Sequence, residues 1–79
     1  MVMTLTLQKA NSMNMIPVNS SAISFIGYDS NTMKMKITFK QSKTYDYCNV
    51  PQNVFDNFLS ASSIGRYYDS NIKDIYNCW

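Results

Sequence analysis

The sequence predicts an α+β fold, a three-stranded antiparallel sheet followed by two short helices packed on one of its faces. Three observations carry this. Met33, Met35, Ile37 and Phe39 alternate with Lys34, Lys36, Thr38 and Lys40, the period of two of a strand with one buried and one wet face. Thr44 to Val50 returns as a second strand past the polar turn residues Gln41, Ser42 and Lys43, which makes a hairpin. After Pro51 the apolar spacing changes to that of a helix.

In chain order, residues 1–15 form an N-terminal extension. Val2, Thr4 and Thr6 alternate with Met3, Leu5 and Leu7, so Val2–Leu7 reads as a frayed terminus, an extra strand on the domain's own sheet, or an edge strand offered to a partner or a second copy. Lys9 to Asn14 is a polar linker. Ala22 to Tyr28 is the first strand of the main sheet, with Ile23, Phe25 and Gly27 on one face and Ile26 and Tyr28 on the other. Gly27 marks a bulge or a close backbone approach. Asp29-Ser-Asn-Thr32 supplies a turn, because short Asp and Asn side chains bond their own backbone. Pro51 suits the first position of a helix, Pro51–Ser60, whose Val54, Phe55, Phe58 and Leu59 face the sheet. Ser63 caps a second helix carrying the stripe Ile64, Tyr68, Ile72, Ile75 and Tyr76, and Gly65 within it signals close packing or a break. The domain spans 16–77, and 78–79 is a tail.

Composition excludes more than it identifies. Seventy-nine residues make one domain with a thin core, since a chain this small buries only about 60% of its unfolded surface. The chain has no His and no Glu, and its only carboxylates are five Asp, so neutral-pH acid–base catalysis has few candidates and the expectation is a non-enzyme. Cys48 has no imidazole to activate it, and two cysteines without histidine cannot assemble a zinc site. Asp29 does not open a calcium loop, because Met33, Lys34 and Lys40 stand where such a loop needs an oxygen ligand, a glycine and a glutamate. No metal and no cofactor are expected. Neither a basic leader nor an 18-residue apolar run is present, so the expected location is cytoplasmic, away from membranes, with Cys48 and Cys78 as reduced thiols.

The net charge of +2 is small, but Lys34, Lys36, Lys40 and Lys43, four of the seven basic residues, fall within one short stretch. Hairpin register decides what accompanies them. A two-residue loop pairs Thr38 with Tyr45 and Lys36 with Tyr47, placing both rings among the lysines as a base-stacking platform. A three-residue loop pairs Phe39 with Tyr45 and Ile37 with Tyr47, sending both rings into the core. The absence of glycine in the turn and the thin core favour the second. Arg66 either extends the basic patch or pairs with Asp69 or Asp74.

Pro17-Val-x-Ser-Ser, Ile26-Gly-Tyr-Asp29, Phe39 before a short turn, Tyr45-x-Tyr47, Val50-Pro51 and Ser63-x-Gly-Arg-Tyr67 with Ile72 together resemble the KTSC domain. Small modules of that family occur at the C-terminus of some lysyl-tRNA synthetases and as stand-alone bacterial or phage proteins. The resemblance covers about Ile16 to Tyr76 and implies a module without established activity, for which RNA binding has been suggested by association. Members often carry Asn-Gly in the hairpin turn, where this chain has Gln41-Ser42-Lys43. Two readings follow. One is a small module for RNA or single-stranded nucleic acid using Lys34, Lys36, Lys40 and Arg66 with Tyr45 and Tyr47. The other is a protein–protein interaction module or phage-encoded inhibitor, self-associating or capturing a partner through an exposed edge strand.

Overall fold

The computed structural model describes residues 13–78. They form four antiparallel strands in the order β1-β2-β3-β4, namely β1 Met15–Pro17, β2 Ile23–Asp29, β3 Lys34–Phe39 and β4 Thr44–Tyr47. Two helices follow, α1 Gln52–Ser60 and α2 Ile64–Asn71. The α+β class and the meander are as predicted, but the sheet gains β1 at its edge. That strand comes from Met15–Pro17, while Val2–Leu7 lies outside the described residues. Gly27 permits its approach. A β-carbon there would run into Met15 Sδ and come within 3.0 Å of the Asn14 carbonyl oxygen.

A register shift between Ile23 and Phe25 changes the faces expected of β2. The extra residue, Ser24, moves Ile23 to the side of Ile26 and Tyr28 and leaves Phe25 with Gly27 on the opposite face. Ile23 and Ile26 are wholly buried, whereas Phe25 is 40% exposed. The bulge thus falls at Ser24, and Gly27 supplies the close backbone approach instead.

The hairpin loop is Lys40-Gln41-Ser42. Phe39 N–H donates to the Lys43 carbonyl at 2.8 Å, and Ser42 N–H donates to the Phe39 carbonyl at 2.9 Å. Ser42 takes the left-handed conformation, φ 70°, in which a three-residue loop closes without a glycine, at some local strain. The register is Met35↔Tyr47, Lys36↔Asp46, Ile37↔Tyr45 and Thr38↔Thr44. It differs by two residues from the three-residue pairing read in the sequence but keeps its parity, so both tyrosines still face away from the lysines. At the other end of β3, Asn31 N–H bonds Asp29 Oδ1 at 3.0 Å and Met33 N–H reaches the Asp29 carbonyl at 2.8 Å. Met33 thereby sits in the turn at φ 60°, exposed and outside the buried row that alternation predicts for it.

Both helices cover the face that carries Ile23, Ile26, Met35 and Ile37. Pro51 is the N-cap of α1, and its carbonyl accepts from Val54 N–H at 3.0 Å. Phe55 stacks on Tyr28 with centroids 4.6 Å apart, and the fully buried Phe58 stacks on Tyr67 at 5.6 Å. Ser63 caps α2 by accepting from Arg66 N–H at 3.3 Å. That helix stops at Asn71, earlier than the stripe implied. Ile72 is buried, but Ile75 lies beyond the helix and is 57% exposed. Gly65 neither breaks the helix nor packs closely, since a β-carbon there would have nothing within 4 Å.

The segment after α2 turns back to β4. Asn77 bridges Tyr47, Cys48 N–H donates to the Tyr76 carbonyl at 2.8 Å, and Cys48 is disulfide-bonded to Cys78. The expectation of two reduced thiols is corrected here. The return of the chain brings the two α-carbons to 4.8 Å, within bonding reach.

Phe58 tests this packing. Phe58→Ala removes a ring with no solvent exposure and leaves a cavity between α1 and the sheet. The expected cost is about 3–5 kcal/mol, a large part of the about 5–15 kcal/mol available to a domain. Urea titration of the two proteins measures it, and a midpoint unchanged by the substitution contradicts the architecture.

Candidate nucleic-acid interface

The face of the sheet opposite the helices follows from the register. One row across the strands is Pro17, Phe25, Thr38 and Thr44, the next is Met15, Gly27, Lys36 and Asp46, and the third is Asp29 and Lys34. Phe25 is the exposed large apolar side chain of this face, between Pro17 and the hydroxyl pair Thr38–Thr44, whose Oγ1 atoms are 2.8 Å apart, while Met15 lies over Gly27 in the next row. Lys36 Nζ reaches Asp46 Oδ1 at 2.7 Å, the one ion pair among the described residues. Both partners are open to water, so the pair contributes at most about 1 kcal/mol and leaves the lysine available to another anion. Lys34 stands opposite Asp29 without closing to ion-pair distance. Lys40 is exposed in the hairpin loop beyond this face.

Of the residues singled out in the sequence, Lys34 and Lys36 share the open face and Lys40 lies at its end. Arg66 does not join them. It is exposed on α2, in the helical layer on the other side of the sheet. Tyr45 and Tyr47 also point to the helix side. Tyr47 is 5% exposed, and its hydroxyl is 2.9 Å from that of Tyr68. Tyr45, at the sheet edge, is 46% exposed and meets Phe39 edge-on at 5.7 Å. Phe39 in turn meets Tyr68 edge-on at 5.3 Å. These rings form a packed aromatic cluster, so the lysine face has no tyrosine platform.

Phe25 is the residue that periodicity missed. The only trace is that Ile23, Phe25 and Ile26 cannot all share one face at period two, so one of them must point outward or a bulge must intervene. Among the described residues no charged or polar side chain is buried in the core. Among them, too, no cluster of three or more His, Cys, Asp or Glu is placed to hold a metal ion. No described helix is long and apolar enough to cross a membrane.

The KTSC domain pattern matches residues 19–76 of this chain. The chain belongs to the KTSC family. Its fold superimposes on the crystal structure of a KTSC domain protein from Yersinia pestis with a TM-score of 0.80 at 42% identity, covering 82% of this chain and 92% of that one. A protein of Tsukamurella paurometabola is 42% identical over 59 residues, 75% of this chain and 88% of its own length. A protein of Stutzerimonas stutzeri is 29% identical over 68 residues, 85% of this chain and 96% of its own. The KTSC span thus includes β2 to α2 and the open face from Phe25 to Thr44. Cys78 lies beyond it.

Two tyrosines of this KTSC domain titrate high. Burial raises the Tyr47 pKa most, followed by its bond to the Tyr68 hydroxyl and nearby phenol and Asp74 charge. Tyr28, which donates to the Val50 carbonyl at 2.6 Å, is raised by burial, then by the Asp56 and Asp29 carboxylates. The unfolded chain ionises these phenols first, near pH 10, so it binds fewer protons than the folded state above that pH. Stability is therefore full below about pH 10 and falls as pH rises further, by about 1.4 kcal/mol per pH unit for Tyr47. Tyr47→Phe should flatten this alkaline loss in denaturant titrations between about pH 9 and 12. An unchanged pH dependence contradicts the burial of the Tyr47 phenol.

Proposed function

We propose that this KTSC protein is a small non-enzymatic module that binds single-stranded nucleic acid, in particular RNA, on its open sheet face. The observation that carries the reading is Phe25, an exposed ring on a solvent-facing sheet beside Lys36 and the Thr38–Thr44 hydroxyls. Unpaired bases stack on aromatic rings, each stack worth about 1–3 kcal/mol, and phosphates follow nearby cations. Lys34 and Lys36 sit about 6–7 Å apart along β3, a spacing that suits a nucleic-acid backbone, and Lys40 continues the track toward the loop. Tyr45, Tyr47 and Arg66 have no part in this interface. The lack of His and Glu supports a binding role over catalysis.

A second reading, a protein partner, draws on Asp29 and Asp46, which mix negative charge into the lysine rows. Salt dependence separates the two, because counterion release is steep only where phosphates are neutralised. With a fluorescent oligouridine, Phe25→Ala should weaken binding about 5- to 150-fold at an unchanged salt slope. Replacing Lys34, Lys36 and Lys40 with Gln should keep the fold and lower the slope by about 0.7 for each phosphate that is no longer neutralised. Triple-mutant protein that binds with the parental slope, or native protein that binds no oligonucleotide, gives the protein-partner reading precedence.

A further inference from the structure

The segment that follows α2 is anchored at its start by the buried Ile72 and returns to the domain through Tyr76, which packs on the core, and through Asn77 and the disulfide. Ile72 N–H and Lys73 N–H both donate to the Tyr68 carbonyl, at 3.0 and 2.9 Å, and Asp74 takes the left-handed region at φ 62°. The helix stops there and the chain reverses onto β4. Its described attachments to the strand are the Tyr47–Asn77 bridge, the Cys48 N–H bond to the Tyr76 carbonyl, and the bond between Cys48 and Cys78, thirty residues apart. Ile75 projects into solvent and Tyr76 is only partly buried. The segment nonetheless occupies the outward edge of β4. With Asp74 and Asn77 it also walls a cavity of about 170 Å³ lined by Tyr45, Tyr47 and Tyr68.

We propose that the Cys48–Cys78 bond is a reversible redox latch that keeps this C-terminal segment on the β4 edge when oxidised and releases it when reduced. Three observations support reversibility over a purely structural staple. Cys78 is an exposed residue, a position at which solution thiols approach a disulfide more readily than in a core. Neither cysteine belongs to the buried core, which runs from Ile23 to Ile72. Cys78 also lies beyond residues 19–76, the span that the family pattern matches. The co-reactant is a dithiol. Its thiolate attacks the Cys78 sulfur, forming a mixed disulfide and expelling the Cys48 thiolate, which takes up a proton. The second thiol of the reductant then displaces Cys78, leaving two protein thiols and one oxidised dithiol, a transfer of two electrons. Release uncovers the outward edge of β4 at Tyr47 and Cys48 and opens the tyrosine cavity on one side.

Amide hydrogen exchange read by NMR tests this on the full chain, with and without dithiothreitol. In the oxidised protein Cys48 N–H should be protected by the Tyr76 carbonyl. Reduction should speed its exchange about tenfold or more while Ile26 and Ile37 in the core keep their protection, and reoxidation should restore the original rate. Cys78→Ser should exchange like the reduced protein under both conditions. Three results overturn the latch: unchanged Cys48 protection after reduction, loss of core protection together with it, or two alkylatable thiols in protein prepared under oxidant.

Discussion

The placement of Met35 and Ile37 on one side of β3 is the constraint from which the rest of the molecule follows. Both side chains are sealed from solvent at the centre of the sheet, paired with Tyr28 and Ile26 on one side and with Tyr47 and Tyr45 on the other. A slip of one residue would exchange them for Lys34, Lys36 and Thr38, and burying an unpaired ammonium costs several kcal/mol. That asymmetry fixes which face receives Phe55 and Phe58 from α1 and Ile64 from α2. It also leaves Lys34 and Lys36 on the face that no helix covers.

Two local devices then decide which aromatic rings stand beside those lysines. Ser42 in the left-handed region closes the hairpin so that the tyrosines of β4 turn to the helix side, and the bulge at Ser24 brings Ile23 into the core while Phe25 stays on the outer face. The inward tyrosines are not idle. Tyr47 joins three parts of the chain, bonding the Tyr68 hydroxyl on α2, bridging Asn77 of the C-terminal segment, and adjoining the disulfide through Cys48. The hairpin, α2 and the returning segment thus meet at one residue, α2 through its phenol and the returning segment through its backbone.

The parts legible in the sequence are those where periodicity survives folding. The alternation around Ile37, the helical spacing of Val54, Phe55, Phe58 and Leu59, the Ser63 cap and the tight approach at Gly27 each have a local physical cause that the residues announce. The β1 strand has none, because Met15–Pro17 is too short for a period and contains a proline. Pairing of Cys48 with Cys78 depends on where the chain turns after Asn71, which composition does not record. For the candidate interface, Lys34, Lys36 and Lys40 could be read directly. The aromatic partner could not, since alternation groups Phe25 with Ile23, and only the bulge at Ser24 separates them into an outer and a buried residue.

The sheet face bearing Phe25 and the lysines is the candidate binding surface. Amide and aromatic shift mapping during titration with a short oligouridine addresses it directly, because each face carries its own reporters. Binding on the open face moves the Phe25 ring and the amides of Lys34, Lys36 and Thr38, and leaves Phe58, Tyr67 and Arg66 where they were. Shifts confined to α2 around Arg66 and Asn71, with Phe25 unmoved, would place binding on the helical layer instead.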